Sequence, residues 1–241
     1  MGRLLLLAVA LTVAVGCGTA EAVKCPDAGC GKDAVRLALT GVTVGQAVVA
    51  VLAVLAVSGE YGTGMIRTTL TAVPNRITVL TAKAAVLGTV VLAAGTVAVL
   101  ASLLGSRYLL PGNGFTEAHG YPPLSLADGP TLRAAAGSVI YLVLIALLGL
   151  GVATAVREAA TAIGIVLGLL YLFPLVTQVV KDPDWQRHLQ QIAPMPAGLA
   201  VQATADLNEL PIGPWAGLCV LALWTATALL VGGLLLRGRD A

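Results

Sequence analysis

Two uncharged apolar runs, residues 37–57 and 84–104, bracket a short polar island, and that spacing constrains what the chain can fold into. Each run matches the roughly 20 residues that a helix needs to cross the hydrocarbon core of a bilayer. The island between them is therefore a loop joining two spans. It reads Ser58-Gly59-Glu60-Tyr61-Gly62-Thr63-Gly64-Met65-Ile66-Arg67-Thr68-Thr69-Leu70-Thr71-Ala72-Val73-Pro74-Asn75-Arg76, with Lys83 just beyond. A compact loop rich in charge and threonine suits docking to a soluble partner better than it suits chemistry.

Composition extends the reading to the whole chain. Charged residues make up 11% and hydrophobic residues 58%, with a mean hydropathy of +0.92, whereas a soluble domain carries about 25% charge. Apolar segments at 4–20, 37–57, 84–104, 134–156, 159–180 and 215–236 predict six transmembrane helices. The alternating short segments of a β-barrel are absent. The expected fold is an all-α membrane protein: one transmembrane domain over 1–241, with a cytoplasmic loop helix and short outer interfacial helices.

With the N-terminus inside, Arg3, Arg67, Arg76, Lys83, Arg157, Arg237 and Arg239 face the cytoplasm. Lys24, Lys32, Arg36, Arg107, Arg133, Lys181 and Arg187 face outward. The inner segments are about half as long in total, so their basic density is about double and favours both termini inside. The first segment also reads as a secretory signal: one basic residue, an apolar core, and small residues ahead of Cys17. Its Ala14 stands where a lipoprotein site favours a larger aliphatic residue.

The outer loops carry little that suggests catalysis. Cys25 and Cys30 can pair as a disulfide in an oxidising exterior, or stand as two separate thiols. Cys17 and Cys219 fall inside spans and read as packing residues. His119, beside Glu117 in a loop dense in Pro and Gly, reads as a solvated side chain. Residues 184–192 and 198–207 have helical apolar spacing and predict two interfacial helices, with Trp185 and Trp215 at headgroup depth. Gly41-x3-Gly45 and Gly164-x3-Gly168 space small residues one turn apart, as closely packed membrane helices do.

Nucleotide, metal and cofactor chemistry find no footing. Gly31-Lys32 has Pro26 where a phosphate-binding loop needs Gly, and Thr154 breaks a dinucleotide pattern at Gly149-x-Gly151. Two histidines and no Cys/His cluster point to no metal site. The five spans after the first hold no ionisable acid or base, so proton-coupled transport on a buried acid is disfavoured. No cofactor, no enzymatic activity and no nucleic-acid partner are expected.

The segment Glu60-Tyr61-Gly62-Thr63-Gly64-Met65-Ile66-Arg67-Thr68-Thr69-Leu70-Thr71-Ala72-Val73-Pro74, followed by Lys83 at the mouth of the next span, strongly resembles the signature of type-2 ABC exporter permeases of the actinobacterial type. The resemblance covers essentially the full chain. It implies that this segment forms a coupling helix gripped by a separate ATPase chain, with contacts through Glu60, Tyr61, Thr63, Ile66, Arg67, Thr68 and Leu70. It also implies a second permease subunit, identical or homologous, in a bacterial plasma membrane. One departure stands out: family members usually carry an amphipathic elbow helix before the first span, and this chain begins almost inside it. That predicts either a late start or a reduced N-terminal docking surface. The competing reading is a non-transporting accessory or structural membrane protein.

Overall fold

The computed structural model describes residues 2–25, 30–62 and 75–238, with the side chains of 60–62 outside the description. Helices account for 83% of the structure. Among the described residues there is no strand, and six helices are long and apolar enough to cross a membrane. In chain order these are α1 (Gly2–Ala22), α3 (Val42–Gly62), α4 (Arg76–Leu109), α5 (Gly129–Val156), α6 (Ala159–Val179) and α9 (Pro214–Gly238). The short helices are α2 (Ala34–Ala38), α7 (Pro183–Ile192) and α8 (Pro194–Leu199), with 3-10 turns at Pro111–Asn113, Glu117–His119, Ala200–Gln202 and Leu207–Glu209.

Three span boundaries differ from the sequence reading. The second span starts at Val42, because a separate helix, α2, begins at its Asp33 cap, whose carboxylate accepts from Arg36 N at 3.0 Å, and ends at Leu39 in a turn over 39–41. The third span is far longer than 84–104. Its 34 residues extend about 50 Å at 1.5 Å per residue, well beyond a hydrocarbon core of about 30 Å. Lys83 and Arg107 end the uncharged run without ending the helix, whose start is set by Asn75, accepting from Ile77 N at 3.2 Å. The fourth span begins earlier, at Gly129, with Pro130 in its first turn, where a missing N–H costs nothing.

Helix α5 is the axis of the bundle and packs against α3, α4, α6 and α9. Tyr141, Ile145, Leu148 and Leu150 on it are fully buried. Close approach depends on glycine at two crossings. A Cβ on Gly41 would stand 1.8 Å from Thr12 O on α1, and one on Gly232 would stand 2.6 Å from Gly151 O. Small residues let membrane helices meet without a hydrophobic drive between them. The expectation for Gly41-x3-Gly45 therefore holds. The one for Gly164-x3-Gly168 is not met within this chain, where both glycines on α6 face open space.

The two ends of the bundle are unlike each other. At one end, the loops after α1, α4 and α6 build a tied cap. At the other, among the described residues, the Arg157–Glu158 turn, the start of α1, the end of α9 and the flanks of residues 63–74 emerge.

Candidate functional site

At the turn end, α3 runs through Glu60 and Tyr61 to Gly62. Thr63, Ile66, Arg67, Thr68 and Leu70, the core of the expected coupling surface, lie outside the described residues. What the structure gives is the frame around them. Arg76 Nη1 donates to Leu236 O at 2.7 Å, tying the start of α4 to the last turns of α9. Lys83, one helical stretch on, lines an apolar groove of about 420 Å³ with Leu5, Leu52, Val57, Val86 and Leu150. The groove thus draws on α1, α3, α4 and α5, which brings the N-terminal part of α1 and the flanks of 63–74 to one end.

The hairpin between α5 and α6 belongs to the same end. Arg157 adopts a left-handed conformation (φ 65°), and its N–H closes the last turn of α5 on Ala153 O at 2.9 Å. Glu158 then caps α6, accepting from Ala160 N at 2.8 Å and Thr161 N at 2.6 Å. Hydrogen bonds from Thr161, then Ala160, hold this carboxyl below the usual carboxylate range. Carboxylates at a helix N-terminus are stabilised by its free N–H groups and its dipole.

The capped end is a network of cross-ties. Cys25 and Cys30 form a disulfide, resolving the alternatives left open by the sequence. Cys25 N donates to Asn113 O at 2.8 Å, and Asn113 Nδ2 donates to Ala20 O at 3.0 Å. Phe115 is buried beneath this corner, its ring edge-on to Tyr121 at 5.0 Å. His119 is half-buried, not solvated: its Nδ1 lies 2.7 Å from Gly114 O, which the Gly114 turn aims at it. Asp33 ties α2 to the loop after α8, accepting from Thr204 N, from Thr204 Oγ1 at 2.7 Å and from Ala205 N at 3.0 Å. Arg133 Nη2 donates to Ala203 O at 2.6 Å on the neighbouring strand of loop.

Of the two expected interfacial helices, the first is met and the second is shorter. Pro183–Ile192 matches the first, capped by Asp182. In place of a helix over 198–207, α8 ends at Leu199 and a 3-10 turn covers Ala200–Gln202. The chain then opens because Thr204 and Ala205 are held by Asp33 rather than by their own helix. Trp185 and Trp215 are both exposed at the capped end. Cys17 packs against Gly105, where a Cβ would stand 2.5 Å from its Sγ. Cys219 is exposed on α9, so the packing role expected for it is not met within this chain.

Sequence reasoning missed one buried polar cluster. Gln46 on α3 and Tyr141 on α5 are each 0% exposed. Tyr141 OH donates to Gln46 Oε1, Gln46 Nε2 donates to Tyr171 OH at 3.2 Å, and Tyr171 OH donates to Thr43 O at 2.6 Å. The signal was an amide side chain inside an otherwise apolar span, since a polar group there needs a partner.

Comparison with family models and with curated proteins finds no match for this chain.

Proposed function

We propose that this protein is the membrane-spanning permease subunit of an ATP-driven ABC exporter in a bacterial plasma membrane. It pairs with a second permease subunit, and a separate ATPase chain docks on the segment around Glu60–Leu70. The observation that carries this reading is the Glu60–Pro74 signature between two membrane-spanning helices. The geometry of its flanks supports it. Gly62 and Arg76 emerge at the bundle end that also holds the Arg157–Glu158 turn and the end of α9, and the Arg76–Leu236 bond makes that end compact. A soluble partner gripping this region would bear on α3, α4 and α9 together.

The Cys25–Cys30 disulfide supports the orientation. Disulfides persist in oxidising compartments, so the capped end faces outward and both termini face the cytoplasm. Exposed Ile165, Leu172, Leu175 and Val179 on α6, with the open Gly164 and Gly168, leave a face available to lipid and to a second subunit alike.

The test is Arg67→Glu with the partner ATPase co-expressed. Reversing an interfacial charge costs several kcal/mol where it meets a complementary group, whereas a solvated charge changes stability by about 0.5 kcal/mol or less. The expected outcome is loss of ATPase co-purification at equal permease yield. Full recovery of the ATPase and undiminished export would reject the coupling role of this residue.

A further inference from the structure

Two cavities at the capped end adjoin and share Arg36 and Gln190 in their walls. The outer one, about 560 Å³, is lined by Lys32 and Arg36 on one side of its charge inventory and by Asp206 and Glu209 on the other. None of these four side chains makes a hydrogen bond or ion pair among the described residues. Asp33, in the same cavity, is already engaged by Thr204 and Ala205. The opposite charges thus share one chamber without neutralising each other by contact. The inner cavity, about 390 Å³, is largely apolar, with Pro174, Met195, Leu199 and Ile212 in its walls. Both volumes fall in the range of small-molecule sites, about 300–1,000 Å³.

We infer that this groove binds one zwitterionic phospholipid of the phosphoethanolamine type. Arg36 and Lys32 receive the phosphate, Asp206 and Glu209 receive the ammonium, and one acyl chain enters the slot beside Met195 and Leu199. Charge complementarity selects the headgroup: an anionic lipid would meet three acids with two bases, whereas a headgroup with both signs meets both. The depth is right as well. Exposed Trp185 lies on α7, the helix that contributes Gln190 to both cavity walls, and is a residue type that settles at the headgroup level; arginine suits phosphate. The inference concerns this groove alone and stands whether or not the chain serves an exporter.

The experiment uses the full chain in phosphatidylcholine vesicles doped with phosphatidylethanolamine carrying a diazirine in one acyl chain, beside a phosphatidylglycerol probe with the same chain. Labelling from the phosphatidylethanolamine probe should concentrate on peptides holding 195–199 and 210–212, well above the phosphatidylglycerol yield. Arg36→Glu should lower it about fivefold, the scale of a partly exposed charge contact, while Arg187→Glu on α7 should leave it unchanged. Leu199→Trp, which fills the slot without touching a charge, should lower it too and covers the case in which Arg36→Glu fails to insert. Equal labelling by both probes, or labelling spread over α1, α4 and α9 and indifferent to these changes, would overturn the inference. So would chain-to-chain crosslinking of Leu199→Cys in place of lipid labelling, which would assign the groove to a second copy.

Discussion

At the residue scale, polar side chains hold the fold at points where water is scarce. Tyr141→Phe deletes the hydroxyl that bonds Gln46 and leaves that buried amide short of a partner. Polar contacts between membrane helices contribute about 0.6–2 kcal/mol, so the expected loss is of that size in a denaturation series in detergent. Gln46→Leu in the same background should recover part of it, since removing both partners is milder than orphaning one. Asp33→Ala should cost about 1–3 kcal/mol, because one carboxylate caps α2 and fixes Thr204 and Ala205. Glu158 makes a pH prediction. Its carboxyl lies below its ordinary range when folded, so its contribution is present above the unfolded pKa and is lost as pH falls through the folded one. Glu158→Gln should flatten the acid limb of the stability profile; an unchanged limb would show that the α6 cap carries no linkage.

At the scale of elements, charge placement in the sequence located six spans and mislocated their ends. Lys83 and Arg107 bound the uncharged run, yet helical hydrogen bonds continue past both, since no proline interrupts the sequence between Pro74 and Pro111. The turn at Leu39–Gly41 was hidden inside an uncharged run, because the Asp33 cap that makes α2 a separate piece depends on Thr204, distant in sequence. Pairing of Cys25 with Cys30, and the engagement of His119 by Gly114 O, are each contacts across five residues of one loop, set by loop conformation that helical spacing does not reveal. Of the expected coupling surface, sequence gives the residues and the structure gives only the frame, Gly62 on one side and Asn75 on the other. Glycine crossings are where an element-level change should be most severe. Gly41→Val puts a branched side chain into Thr12 O, so α1 should separate from α3. Gly164→Val, facing open space, should leave the monomer fold intact. Crosslinking between cysteines placed on α1 and α3 distinguishes the two.

At the scale of the whole molecule, the two ends of the bundle differ among the described residues: one is cross-tied by a disulfide and loops, and the other presents helix ends and the Arg157–Glu158 turn. Reduction of Cys25–Cys30 should loosen the capped end by about 2 kcal/mol, the loop-entropy scale for so short a closed segment, without disturbing the Arg76–Leu236 end. In the proposed reading this chain spans the membrane for an ATPase it does not contain. The decisive experiment is affinity purification of the tagged chain from its native membrane, followed by mass spectrometry and an ATP-hydrolysis assay. An ABC-type ATPase should co-purify, hydrolysis should follow the amount of that partner, and the chain stripped of it should hydrolyse no ATP. Hydrolysis by the stripped chain, or recovery of the intact chain with no ATPase, would contradict that reading.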